Sequence, residues 1–138
     1  MKKGVNVIIT DNQNRVLILK RGSNVEFFPN LWDLPGGKVE NNETLQEAVK
    51  RETKEESDLD VELENNYFYL YHYPNGKIDI YAFRANLISE EVTIDEKHTE
   101  FKWISKDEWE SLDYTPSVAA TLKEFFKKQV LILSHQGS

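Results

Sequence analysis

The chain has 138 residues, 39% of them hydrophobic and 30% charged, with a formal net charge of -7. These proportions suit one globular domain with a sizeable core and exclude a disordered or membrane-spanning chain. The acidic balance argues against binding a nucleic-acid duplex, which needs clustered Lys and Arg, but not against a small phosphorylated ligand, since bound divalent cations reverse the sign of an acidic site.

There is no cysteine, hence no disulfide framework, thiolate nucleophile or Cys-based zinc site. Met1-Lys2-Lys3-Gly4 runs into an apolar stretch, residues 5–9, too short for a signal-peptide core or a membrane span, so the expected compartment is cytoplasmic. Val5-Asn6-Val7-Ile8-Ile9 and Val16-Leu17-Ile18-Leu19 flank Asp11-Asn12-Gln13-Asn14 and predict two antiparallel strands joined by a turn. Residues 21–33 have no period and read as a loop; Pro35-Gly36-Gly37 is a second breaker. A helix is predicted from Thr44 to about Ser57.

Two β-rich runs follow, residues 67–73 and 78–87, around Pro74-Asn75-Gly76-Lys77, where Asn-Gly is a strong hairpin signal. Phe101-Lys102-Trp103-Ile104 predicts a further strand, and Ser105 caps a predicted short helix. A last helix follows Pro116, with Val118, Ala119, Leu122, Phe125 and Phe126 at helical spacing. The order gives one α+β domain over residues 1–130 and a tail over 131–138. His72, His98 and His135 show no ligand spacing and read as incidental.

The helix from Thr44 carries the chemistry. Thr44 and Glu47 have capping-box spacing. At 100° per residue Leu45, Ala48, Val49 and Glu52 share one face, Glu56 continues it and Glu55 flanks it. An apolar stripe that runs into carboxylates is unusual, because unpaired buried charge is costly and like charges one turn apart repel. A carboxylate cluster is also the ligand set for hard divalent cations such as Mg²⁺ or Mn²⁺; taken alone, such a trio on a helix is more often a solvated face.

The spacing goes further. Gly37, Glu43, Arg51-Glu52, Glu55-Glu56 and Leu59 resemble the Nudix box, in which Gly, five residues, Glu, seven residues, Arg-Glu, two residues, Glu-Glu, two residues and an aliphatic recur. The phrase Leu31-Trp32-Asp33-Leu34-Pro35-Gly36-Gly37-Lys38 resembles the MutT-like branch of that family, and the likeness spans roughly residues 3–127. Two positions depart from the box: Thr53 replaces an aliphatic residue, and Asp58 stands where Gly is usual. A left-handed residue is expected there, which Asp tolerates better than most.

The resemblance implies the Nudix fold, a mixed β-sheet sandwiched between helices, and a metal-dependent hydrolase of nucleoside diphosphates linked to another group. It implies that Glu52, Glu55 and Glu56, with the Gly36 carbonyl, bind Mg²⁺ or Mn²⁺, and that Arg51 pairs with Glu43 to hold loop and helix in register. Lys38 is then expected near the phosphates. Arg21 is either a phosphate contact or an exposed strand-end residue. A general base is expected from Glu96 or Glu100, with Glu96 preferred from its distance to Trp103. Trp32 and Phe27-Phe28 either stack on a base or pack the loop onto the sheet. MutT-like enzymes acting on oxidised guanine nucleotides use an Asn near the last helix; Tyr114-Thr115-Pro116-Ser117 has none. Pro74 lies where ADP-ribose hydrolases carry a Pro, but the hairpin turn accounts for it.

Three readings follow: a nucleoside triphosphate pyrophosphohydrolase, an ADP-ribose or nucleotide-sugar pyrophosphatase, and a nucleotide sensor that does not cleave. The sensor ranks last because the box acids are all present. The implied partner is a small nucleotide, with no nucleic-acid duplex and no membrane; family members are often homodimers, but no feature marks an interface.

Overall fold

The computed structural model describes residues 2–89 and 91–136, the stretch from 128 onward as backbone only. Strand β1 (Lys2–Thr10) is the centre of the sheet. Its alternate residues are apolar on both sides: Val5, Val7 and Ile9 join one core cluster, Ile8 the other. Strand β2 (Val16–Arg21) repeats the pattern, with Leu17 and Leu19 on one face and Val16 and Ile18 on the other. Strands apolar on both faces must be covered on both faces. Helix α1 (Leu45–Ser57) covers the first with Ala48 and Val49, and helix α2 (Pro116–Gln136) covers the second with Val118, Leu122, Phe125 and Phe126. The expected mixed sheet between helices is the architecture found.

The two N-terminal strands pair less than their sequence suggests. They are antiparallel, but only Thr10 and Val16 are in register, beside a turn in which Asp11 accepts hydrogen bonds from the Gln13 and Arg15 N–H groups. Beyond the turn they diverge. β1 runs parallel to β7 (Ile78–Leu87) along its whole length and takes β4 (Gly36–Lys38) on its other edge at Gly4, Val5 and Asn6. β2 pairs with β8 (His98–Ile104) and with β3 (Trp32–Asp33).

Two pieces read as loop and breaker are therefore strands. β3 is two residues long, and β4 includes both glycines of the expected break. The bare Gly36 is what permits the pairing, since a Cβ there would strike the Val5 carbonyl oxygen. β5 (Val61–Leu63), with no signal of its own, is ordered against the far end of β7. β6 (Tyr69–His72) pairs with the near end of β7 around the Asn75-Gly76 turn, where Gly76 takes a positive φ of 71°.

The short helix expected after Ser105 is a 3-10 turn at Trp109–Ser111, and the Ser105 hydroxyl and N–H both donate to the Glu108 carboxylate. Helix α2 continues through residues 131–136 of the expected tail; residues 137 and 138 lie outside the described residues. Among the described residues no helix is long and apolar enough to cross a membrane.

Helix α1 ends on Asp58 at φ 58°, the left-handed conformation expected there, and its N–H bonds to the Lys54 carbonyl. Asp58→Gly should raise stability by about 0.5–1 kcal/mol, read as a higher urea midpoint. An unchanged midpoint would mean that the exposed Lys54–Asp58 ion pair at 3.3 Å offsets the strain.

Candidate active site

Helix α1 begins with the reciprocal cap predicted for it. Thr44 Oγ1 accepts from the Glu47 N–H at 3.1 Å, and Glu47 Oε1 accepts from the Thr44 N–H at 3.0 Å. Two turns on, Arg51 reaches back over the loop. Its Nε and Nη2 donate to the two oxygens of Glu43 at 2.7 and 2.9 Å, and Nη2 also donates to the Lys38 carbonyl at 3.0 Å. These forked bonds hold the Glu43 carboxyl down at about 2. Arg51 does more than the register-keeping expected of it: Nη1 donates to Glu52 at 2.7 Å and to Glu55 at 3.4 Å.

The acids sit on the helix where it meets β4. A Cβ on Gly37 would lie 2.6 Å from Glu52 Oε1, so the absent side chain makes room for that carboxylate. The Gly36 N–H donates to Glu56 Oε1 at 3.0 Å. Burial pushes the Glu56 carboxyl up to about 9, reinforced by the charges of Glu52, Asp33 and Asp95. Burial raises Glu52 as well, against the pull of Arg51. Glu55 is the exposed flank of the trio. Thr53, the departure from the box, is buried with its hydroxyl bonded to the Val49 carbonyl at 2.6 Å, so its polar atom is satisfied inside the helix.

Beyond the two glycines lies a cavity of about 190 Å³, bounded by Asn6 of β1, Arg21, Phe28, Asp33, Lys38, Tyr73, Ile78, Ile80 and, from the start of α2, Thr115 and Ser117. Lys38 and Arg21 thus reach one cavity beside the acids. Arg21 is already engaged, donating to Asp33 Oδ2 at 3.0 Å and to the Phe27 carbonyl at 3.0 Å.

Trp32 is different. It is 6% exposed and packed in the α2-side core, with Lys20 and Lys102 over its ring, whereas Phe28 and Tyr73 are the aromatics that line the cavity. Glu100 lies on β8 opposite Lys20, its carboxylate 3.9 Å from Lys20 Nζ, rather than in a loop. Glu96 is exposed in the loop before β8.

Three residues outside the sequence-based set also belong to this region. Asp33 accepts from the Leu34 N–H and Arg21, and burial raises its carboxyl. Asp95 lies 2.6 Å from Nδ1 of His98, a buried histidine. Neither acid has box spacing, and His98 carries no signal beyond its position before a strand. Pro74 stands where the β6–β7 turn closes, with the Tyr73 N–H on the Ile78 carbonyl.

Among the described residues no three His, Asp or Glu side chains converge closely enough, as they stand, to hold a metal ion. The donor chemistry still fits one. Glu52 and Glu55 are neutralised by Arg51, and Glu56 retains a proton beside Glu52. A divalent cation would take the place of the Arg51 contacts and of the proton that burial favours on Glu56.

A family model described as NUDIX domain matches residues 1–127. The chain is 30% identical over 111 residues to an uncharacterized Nudix hydrolase of Listeria innocua, covering 78% of this chain and 66% of that protein. It spans a little under two thirds of that relative. It is 26% identical over 128 residues to the nucleoside triphosphatase NudI of Klebsiella pneumoniae, covering 84% and 91%. The structure of a MutT protein from Methanosarcina mazei superposes with a TM-score of 0.77 at 24% identity, over 93% of this chain and 94% of that one, which establishes a shared fold.

The raised Glu56 carboxyl sets a pH dependence. The folded chain keeps a proton that the unfolded chain releases near the ordinary value of 4.5, so this group's stabilisation is complete below 4.5 and is lost as pH rises toward about 9. In chelator, the melting temperature should fall across that window, and Glu56→Gln should flatten the fall. Added divalent cation, which needs the deprotonated form, should raise the melting temperature more at pH 9 than at pH 6. An equal gain at both would remove Glu56 from the cation site.

Proposed function

The chain belongs to the Nudix family, on its MutT-like branch, and from that premise we propose that it is a divalent-metal-dependent pyrophosphohydrolase of nucleoside triphosphates. One observation carries the reading: Glu52 and Glu56, at box spacing on α1, press against Gly37 and Gly36 at the edge of a cavity that also presents Lys38 and Arg21. A small cavity flanked by acids and two cations suits a ligand with one flat end and one polyanionic end. The name of the Klebsiella relative, a nucleoside triphosphatase, supports the same substrate class.

In this reading Glu52, Glu55 and Glu56, with the Gly36 carbonyl, hold Mg²⁺ or Mn²⁺. Bound there, the cation lowers the pKa of attacking water and offsets charge on the phosphates. Arg51 positions the acids, since one guanidinium spans Glu43, Glu52 and Glu55. Lys38 carries positive charge to the phosphate end of the cavity, and Arg21, steadied by Asp33, does so from the other wall. Glu96 remains the proposed general base; its neighbour Asp95 is close enough for its charge to be felt at Glu56, while Glu100 is turned to Lys20. The proposed compartment is the cytoplasm.

Glu56→Gln should abolish hydrolysis with the fold retained, because it removes charge and little volume. The loss should exceed the about 10–100-fold that removing an outer-shell partner costs. Wild-type turnover in that variant with Mg²⁺ present, or activity of the wild type in chelator, would sink the metal assignment. Arg51→Lys keeps the charge but not the fork, and should cost about 10–100-fold in kcat/KM with weaker Mg²⁺ activation; an unchanged Mg²⁺ dependence would make the fork dispensable. A panel of nucleoside triphosphates and nucleoside diphosphate derivatives, scored for released phosphate and pyrophosphate, tests the substrate class. Cleavage confined to the diphosphate derivatives would overturn the triphosphate reading.

A further inference from the structure

Along β1 the residues facing α2 are Gly4, Asn6 and Ile8, and Ile8 is fully buried core. Asn6 is 4% exposed, yet neither its Nδ2 nor its Oδ1 has a hydrogen-bond partner among the described residues. Its backbone does not need that side chain, because β1 is flanked at Asn6 by β4 on one edge and β7 on the other. A leucine of similar size would fill the space without an unpaired donor and acceptor, and a buried amide left so costs stability. Strong local loss of stability at a cavity wall points to function rather than folding.

The surroundings say what the amide meets. Asn6 borders the 190 Å³ cavity, together with the flat or apolar side chains of Phe28, Tyr73, Ile78 and Ile80. That volume is below the about 300–1,000 Å³ of pockets that enclose a drug-sized ligand, and suits a single ring system. The register partner of Asn6 is Gly36, whose N–H bonds to Glu56. A group held at Asn6 is therefore one strand away from the acids.

We propose that Asn6 is a specificity-determining residue whose amide hydrogen-bonds the edge of the nucleobase, with the phosphates lying outward over Gly36, Lys38 and the helix acids. An amide presents a donor and an acceptor side by side, and a base edge with an adjacent acceptor and donor is its complement. The apolar walls stack on the ring faces, which any base supplies. This proposal rests on the reading of the chain as a nucleotide hydrolase.

Two measurements test it separately from that reading. In ¹³C,¹⁵N-labelled wild type, the Asn6 side-chain amide signals, assigned through the residue's own Cβ and backbone resonances, should move on titration with at least one nucleoside monophosphate and stay in place with ribose 5-phosphate. In hydrolysis, Asn6→Leu should melt no lower than wild type, and lose about 10- to 100-fold of the kcat/KM ratio between the best and worst nucleoside triphosphate. Cleavage of nucleotides with silent Asn6 signals, or a base ranking kept within about twofold in a folded Asn6→Leu, overturns the role of Asn6 and leaves the hydrolase standing. Signals that move with a base while nothing is cleaved uphold Asn6 and remove the hydrolase. The wild-type titration decides the matter even if the variant does not fold.

Discussion

The close approach of helix α1 to β4 is the constraint on which the rest of the site depends. Gly36 must be bare for β4 to lie against β1, and Gly37 must be bare for Glu52 to sit above it. Side chains at either position would separate the helix acids from the sheet edge. The approach also delivers the Gly36 N–H to Glu56, and it places the acids directly behind the cavity wall. Sheet pairing, acid placement and cavity shape are three results of one tight contact.

Arg51 resolves the electrostatic problem that this contact creates. Three acids within one turn and a half of helix repel one another, and burial makes the repulsion worse. One guanidinium bonded to Glu43, Glu52 and Glu55 removes most of it, while Glu56 escapes by keeping its proton. Each acid is therefore held by a partner that a stronger or better-placed charge can displace. Asp33 and Asp95 add negative charge around Glu56 and raise its carboxyl further.

Much of this was legible in the sequence, for physical reasons that differ from part to part. The cap at Thr44 and the inward Glu52 are local, set by spacing along one helix, the Arg51–Glu43 pair and the left-handed Asp58 were implied by the resemblance to the Nudix box, and all appear as expected. The Asn75-Gly76 hairpin was legible because its turn chemistry is local too. What the sequence concealed is non-local. β4 looks like a breaker until the neighbouring strand that needs its glycines is known. β5 has three residues and no pattern without β7. Trp32 and Asp33 are adjacent in sequence, but one is core and the other cavity wall. His98 and Asn6 are single polar residues whose meaning comes only from burial.

The parallel pairing of β1 with β7 has a consequence for how the protein is made. Residues 2–10 pair with 78–86, so the central strand leaves the ribosome some 76 residues ahead of its partner. At about 5–20 residues per second that is a wait of roughly 4–15 s. For that time a strand apolar on both faces has one long edge unpaired, the kind of edge that recruits other chains. β4 arrives early but covers only Gly4, Val5 and Asn6. Synthesis speed through residues 11–77 and chaperone supply are thus expected to govern yield more than the stability of the finished fold.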